Sequence, residues 1–377
     1  MDAVAAVPAL KIGPVAVDPP VVLAPMAGVT NTAFRTLCAQ HGAGLYVSEM
    51  VSARALVEGN ARTTRMLEFS DAEPIRSIQL YGTEPVSVAA ATRRLVDEVG
   101  IAHLDLNMGC PVPKVTRLGG GAALPLRTRL FADLVSAAVR AAGPVPVTVK
   151  MRMGADAGRL SYLSAGRVAA DCGVAAVALH ARTAEELYSG RAHWDAIGEL
   201  KQAVTDVPVL GNGDIWTAAD AVAMMRQTAA DGVVIGRGCL GRPWLFGDLA
   251  AALAGRPSAP APDLGGVVDV MARHVRLLVE HFGDETVGVR DFRKHIGWYL
   301  TGYPAGGLAR RSLTAARTVT QLVEGLATLD RSVRLPAAAQ GLPRGPAHGP
   351  RRVTLPEGWL DGDDTDLAVA ELMVSGG

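Results

Sequence analysis

Residues 103–111 read His-Leu-Asp-Leu-Asn-Met-Gly-Cys-Pro. The apolar run through His103, Leu104 and Leu106 has the length and composition of a short buried strand, and the Gly and Pro that follow end it. Asn107 and Cys110 are therefore expected where that strand opens into a loop, which delivers an amide and a thiol to a rim. Other apolar runs end the same way. Residues 145–149 lead into Lys150, 176–179 into His180, and 207–210 into Gly211-Asn212-Gly213-Asp214. In a barrel of parallel strands such ends converge on one face, and that face carries the chemistry.

Counting outward from this stretch gives eight strand-like runs, at 21–24, 45–47, 75–80, 103–106, 145–149, 176–179, 207–210 and 232–235. Helix-compatible segments such as 32–41, 85–98, 129–142, 164–172 and 217–228 separate them, the β/α alternation of parallel-sheet folds. The fold class read from this is α/β, a (β/α)8 TIM barrel over residues 1–255. A doubly wound sheet is the rival architecture, but it carries a Gly-rich fingerprint after its first strand. Here that strand leads into Pro25-Met26-Ala27-Gly28. A Pro-rich joint at 254–263 marks a boundary, and three amphipathic segments at 267–282, 289–300 and 308–329 predict a small helical bundle over 263–332. The Pro/Gly-rich tail, 333–377, has linker composition and is expected to lie on the surface, partly disordered.

Lys plus Arg and Asp plus Glu both total 37, so net charge neither demands nor excludes a nucleic-acid partner, and any basic surface must be local. Cys38, Cys110, Cys172 and Cys239 are far apart, with no CxxC or Cys/His ligand spacing. That pattern argues against a zinc site or a disulfide framework and fits a reducing cytoplasm. No apolar run is long enough to span a bilayer, so a soluble protein with no membrane partner and no metal is expected.

The turns after the seventh and eighth runs, Gly211-Asn212-Gly213-Asp214 and Gly236-Arg237-Gly238, occupy the phosphate-binding positions of such barrels. Glycine lets backbone N–H groups approach an anion closely, and Arg237 can add a charge-assisted hydrogen bond. Lys150 is open to three roles: Schiff-base nucleophile, cation facing a cofactor, or solvated rim lysine. One lysine among the neutral polar groups Gln79, Asn107 and His180 suits an electron-accepting ring whose carbonyls and ring nitrogens need fixed partners, which points to a flavin. Cys110, at an ordinary thiol pKa, is protonated at neutral pH and able to act as an acid. A nucleophile would need a lowered pKa, with only Lys114 nearby in sequence, and a buried bystander is the third reading. Cys38 and Cys172 fall in helical segments as inert apolar residues, and Cys239 in a loop near the phosphate turns.

Taken together, Ala24 to Thr30 with Phe34-Arg35, Ser48-Glu49-Met50, Gln79 to Gly82, Asp105 to Pro111, Lys150-Met151-Arg152, His180 to Thr183, Gly211 to Ile215, Asp231 to Arg237 and Arg293-Lys294-His295 resemble the tRNA-dihydrouridine synthases. The branch they resemble is the bacterial one of nitrogen-regulation-like FMN oxidoreductases. The resemblance spans roughly residues 12–330 and implies reduction of the C5=C6 bond of selected uridines in tRNA. FMN is the implied cofactor, with NADPH (or NADH) as its reductant. FMN contacts are implied for Pro25, Met26, Ala27, Gln79, Asn107, Lys150, His180, Asn212, Gly213, Asp214, Gly236 and Arg237, and the proton donor for Cys110. Lys114, Arg152, Arg182, Arg293 and Lys294 are the candidate RNA contacts, with base extrusion the expected mode. The sequence departs from the family pattern at Ser48, where Thr is expected, and at Glu186, which stands for Gln and places an acid near the RNA path. The alternative is a small-molecule flavin oxidoreductase of the dihydropyrimidine dehydrogenase type, and a third reading is a tRNA-binding protein with decayed catalysis.

Overall fold

In the computed structural model, residues 7–42, 44–345 and 349–361 are described. A hairpin of β1 (Leu10–Ile12) and β2 (Val15–Val17) precedes eight further strands. These are β3 (Val21–Leu23), β4 (Leu45–Ser52), β5 (Ser77–Tyr81), β6 (His103–Met108), β7 (Val147–Arg152), β8 (Ala176–His180), β9 (Val209–Asn212) and β10 (Gly232–Ile235). They pair in parallel in chain order, and β10 closes back onto β3. Closure removes both sheet edges, which excludes a doubly wound sheet and makes this a TIM barrel.

Period-2 alternation sorts each strand's side chains into two cores. On β6, Leu104, Leu106 and Met108 join the apolar layer under the helices, together with Val149 and Met151 of β7. Val22, Leu45, Val47, Ala178, Leu210 and Val234 fill the barrel's interior, and Leu10, Ile12 and Val17 of the hairpin plug its N-terminal end. Above that plug the interior turns polar, with Ser77, Gln79, His103, Asp105 and Thr148 all buried. The register sets Gln79 opposite Asp105, Asn107 opposite Lys150, and Arg152, His180 and Asn212 in one row.

Most strands run past their apolar letters. The β4 run extends from Val47 to Ser52, with a register shift between Val47 and Met50. The Ser48 hydroxyl spans that irregularity, accepting from the Gln79 N–H at 3.2 Å and donating to the Glu49 carbonyl at 2.8 Å. A threonine would supply the same hydroxyl, so this departure from the family pattern leaves the local bonding intact. Asn107, Lys150, His180 and Asn212 likewise lie within the C-terminal halves of their strands, not in loops.

After the barrel helix Leu245–Leu253, an exposed connection leads to four helices, Leu264–Phe282, Glu285–Tyr299, Gly307–Ala315 and Val319–Ala327. They share a cluster of their own, which meets the barrel at Ala33. The expected single helix over 308–329 is two, because the Thr318 side chain caps a new helix by accepting from the Gln321 N–H. The tail also differs from expectation. Arg344 is 3% exposed, and residues 349–361 lie against the barrel mouth, pinned where Trp359 Nε1 donates to the Ala123 carbonyl at 3.0 Å. The disorder expected for 362–377 lies outside the described residues. No helix among the described residues is long and apolar enough to cross a membrane, and none of their His, Cys, Asp and Glu residues form a metal-binding group.

Candidate active site

The C-terminal ends of the strands surround a cleft of about 930 Å³. Pro25, Met26 and Ala27 of the β3 loop line it, as do Gln79, Asn107, Cys110, Lys150, Arg152, His180 and Arg237. A smaller recess of about 80 Å³ opens from it between Asn212, Gly213, Asp214, Gly236 and Arg237. Every expected cofactor residue and the thiol thus converge on one connected space.

Alternation on β5, β6 and β7 builds a buried polar chain beneath the cleft. Ser77 Oγ meets His103 Nδ1 at 2.7 Å, and His103 Nε2 meets Thr148 Oγ1 at 3.0 Å. Thr148 Oγ1 donates to Asp105 Oδ1 at 2.6 Å, and Gln79 Nε2 donates to Asp105 Oδ2 at 2.7 Å. Gln79 Oε1 accepts from Asn107 Nδ2 at 2.8 Å. Asn107 Oδ1 then accepts the N–H groups of Gly109 and Cys110 at 3.1 and 2.9 Å, an Asx turn that fixes the thiol's loop. A Cβ at Gly109 would press on the β7 backbone at Met151 and Arg152 at 3.1 to 3.3 Å, so glycine eases the close approach there. Gly121, at φ +56°, lies against the carbonyl of Cys110 from the other side. The Asn107 amide is therefore occupied mainly in holding Gln79 and Cys110 in place.

Burial sets the ionisation of this site. It lifts the Asp105 carboxyl from its ordinary 3.8 to about 6, against the hydrogen bonds from Thr148 and Gln79 and the charge of Lys150. Lys150 falls to about 8, through burial first and the nearby Arg152 second. His180 is driven well down by burial and by the surrounding cations, so its ring is neutral. Burial pushes the Cys110 thiol up, opposed by the Val112 N–H and by Arg152 and Lys150. These two cations are the neighbours that sequence spacing could not show. Because burial prevails, the thiol stays protonated at neutral pH, an acid and not a resting nucleophile.

At the recess, Arg237 lies between two aromatic faces, its guanidinium 4.3 Å from the Tyr188 ring centroid and 5.1 Å from that of Trp216. Neither aromatic was singled out in the sequence, although Tyr188 falls within a family motif. Asp214 has φ +53°, and its carboxylate is bonded to Arg182 at 2.7 and 2.8 Å and to the Ala192 N–H at 2.7 Å. Its carboxylate, which also lies 3.8 Å from Arg237, is thus engaged mainly within the protein. Asn212 Nδ2 donates to the Val234 carbonyl at 2.7 Å. At Gly213 a Cβ would press on Ala192 at 2.7 Å, whereas one at Gly236 would come no nearer than 3.8 Å to any neighbour. Gly213 is therefore needed for packing, and Gly236 leaves open space in the recess.

The candidate RNA contacts divide. Lys114 is exposed on the short helix Pro113–Thr116, and Lys294 lines the cleft while pairing with Asp291 at 2.6 Å. Arg152 reaches the cleft but is 4% exposed and donates to the carbonyls of Thr183 and Leu187. One expectation is corrected. Arg182 is 1% exposed, committed to Asp214 and the carbonyls of Ser189 and Gly190. Arg293 is half-buried and donates to the Ala316 carbonyl at 2.8 Å, bracing one helix on the next, which does not contradict its expected role. Glu186, the departure from the family pattern, accepts from the Thr183 N–H at 2.6 Å and meets His193 at 2.7 Å. Cys239 is buried as well, its thiol turned to the Gly236 carbonyl.

A family model described as dihydrouridine synthase (Dus) matches residues 22–334. A Mycobacterium tuberculosis H37Rv protein named probable tRNA-dihydrouridine synthase is 54% identical over 381 residues, covering 98% of this chain and 97% of its own. A tRNA-dihydrouridine synthase B of Xanthomonas axonopodis pv. citri is 41% identical over 310 residues, covering 82% and 92%. Among solved structures, 2-naphthoyl-CoA reductase aligns with TM-score 0.52 at 11% identity over 66% of this chain and 52% of its own. Histamine dehydrogenase from Rhizobium sp. 4-9 aligns with TM-score 0.52 at 12% identity, over 86% and 64%. At such identities these two share the fold.

Proposed function

Because the chain belongs to the dihydrouridine synthase family, we propose that it reduces the C5=C6 bond of specific uridines in cytoplasmic tRNA, with FMN as cofactor and NADPH or NADH as reductant. The observation that carries this reading is the lining of the cleft. The charged residues lining it are six cations, Lys150, Arg152, Arg237, Lys294, Arg351 and Arg352, of which Lys294 pairs with Asp291 at 2.6 Å and Arg237 lies 3.8 Å from Asp214, a carboxylate of the adjoining recess. In a chain with equal numbers of acidic and basic residues, that concentration of one sign suits a polyanion and an anionic cofactor.

The residues present fit FMN. The recess combines the open space at Gly236 with the clamped guanidinium of Arg237, a donor set suited to a phosphate. The cleft offers the Lys150 ammonium, the neutral imidazole of His180 and the fixed amide of Gln79 for ring heteroatoms, with Pro25, Met26 and Ala27 along one wall. When bound and reduced by the nicotinamide dinucleotide, FMN supplies the hydride that C6 requires. Cys110 holds the second hydrogen at Sγ and gives it to C5 as a proton. The thiolate left behind faces the Val112 N–H and the charges of Lys150 and Arg152, which lower the cost of that transfer. Lys114 and Lys294 stand at the rim for phosphates flanking an extruded base. In this reading residues 1–255 are the catalytic domain and 263–332 a tRNA-binding one.

Two measurements test the proposal. Purified protein should carry a flavin spectrum or regain one with FMN, and tRNA from cells lacking the gene should lose dihydrouridine at defined positions. A flavin-loaded protein whose loss leaves the nucleoside profile unchanged, in a strain with no second synthase, would favour the small-molecule oxidoreductase.

A further inference from the structure

The part of the chain beyond the family match carries structure of its own at the cleft. Arg344 donates to the carbonyls of Trp298 and Thr301, which roots this segment on the end of helix Glu285–Tyr299. Gly345, at φ +80°, passes over the side chain of Arg237, and a Cβ there would lie 3.3 Å from the arginine's Cδ. Residues 349–352 line the cleft, and the Arg351 N–H donates to the Glu185 carbonyl in the β8 loop at 2.8 Å. The far end is pinned on the β6 loop. There the Trp359 carbonyl accepts from Arg127 at 3.1 Å, that guanidinium covers the indole at 5.5 Å, and the ring occupies space that only a glycine at 119 leaves free. Residues 349–359 are thus held by contacts to the β8 loop and the β6 loop, and Arg344, earlier in the chain, is held to the helical module.

Arg351 and Arg352 are exposed on this span, and neither pairs with a carboxylate among the described residues. They share the cleft with Lys294 of the helical module and with Cys110. We propose that residues 349–359 form a fixed strap giving the cleft a second basic wall, and that Arg351 and Arg352 bind backbone phosphates of the RNA beside the reacting nucleotide. The inference rests on the tRNA reading above. Charge complementarity and continuity with the cleft select the occupant. Two guanidiniums with no carboxylate partner among the described residues, lining the same cleft as the Cys110 thiol, suit the phosphates next to a base inserted there, and the strap's anchors at Arg351 and Trp359 hold them without a loop-ordering cost on binding.

The test is the affinity of the full chain for an unmodified tRNA transcript as salt is raised from about 50 to 200 mM. The variants are Arg351→Ala with Arg352→Ala, the corresponding Lys pair, and Trp359→Ala. Two lost phosphate contacts should make the slope of log affinity against log salt shallower by about 1.5 and weaken binding about tenfold. The Lys pair keeps the charge and should restore the slope. Trp359→Ala, which frees the strap while leaving both arginines present, should weaken binding in the same direction. An Ala pair with the wild-type slope, or tighter binding by the Ala pair or Trp359→Ala, would overturn the strap's role and identify it as filler or obstruction. Wild-type protein without salt-dependent tRNA binding would sink the tRNA reading itself, a result separable from failure of the strap alone.

Discussion

Replacing Asp105 with Asn isolates a buried carboxylate under the cleft. Its carboxylate accepts from Gln79 and Thr148, yet burial outweighs these bonds and lifts it from 3.8 to about 6. At about 1.4 kcal/mol per pH unit, this is a preference of about 3 kcal/mol for the protonated form in the folded chain. The folded state therefore binds the proton more tightly than the unfolded state. This contribution to stability is fully present below 3.8 and is lost as pH rises through about 6. Asn mimics the protonated form, because its amide can donate to Thr148 Oγ1 while its oxygen keeps the Gln79 bond. Urea unfolding of both proteins across this range should show Asp105→Asn close to wild type in acid and more stable by up to about 3 kcal/mol at about pH 8. A stability difference that stays flat with pH, or that favours wild type increasingly as pH rises, would refute the reasoning.

Cys110→Ala should retain bound FMN and its reduction by the nicotinamide dinucleotide, but slow uridine reduction about 10²-fold or more in a single-turnover assay. Arg237→Ala removes the clamped guanidinium, and titration of apo-protein should show FMN binding weakened about tenfold or more. His295 is fully buried with both ring nitrogens unpartnered among the described residues and is held neutral by burial. It contributes stability above the ordinary 6.5 that is lost as pH falls below it. His295→Phe should flatten the acid limb of the stability profile and leave neutral-pH stability equal or up to about 2 kcal/mol higher in urea melts. Arg35 and Glu73 form a buried pair, 1% and 0% exposed. Glu73→Ala, which strands the guanidinium, should cost about 3–5 kcal/mol by the same assay.

The barrel was legible because buried parallel strands are apolar on both faces and read as runs whatever their register. Strand ends were less so. The β4 run stopped in the letters at Val47 because Ser48, Glu49 and Met50 look like a loop, whereas Ser48 bonds the irregular strand to β5. The thiol, the lysine and the glycine turns were legible from their places after strands. Arg182 was not, since an arginine reads as surface until its partner, Asp214, is seen. Asp105 looked like one letter of a motif, and only the pairing of β5, β6 and β7 shows it to be the hub of a polar chain. The strap was the least legible element. Its composition is that of a linker, and what fixes it is contacts such as Trp359 with Ala123, 236 residues apart.

In the proposed reaction the thiol of Cys110 and the flavin serve one bound uridine. Rapid mixing of protein carrying fully reduced FMN with unmodified tRNA, in the absence of oxygen, tests this directly when flavin absorbance and dihydrouridine are followed together. Flavin reoxidation should match dihydrouridine one for one in the wild type, and both should slow together in Cys110→Ala. Reoxidation by tRNA without dihydrouridine, or equal rates in the two proteins, would contradict it.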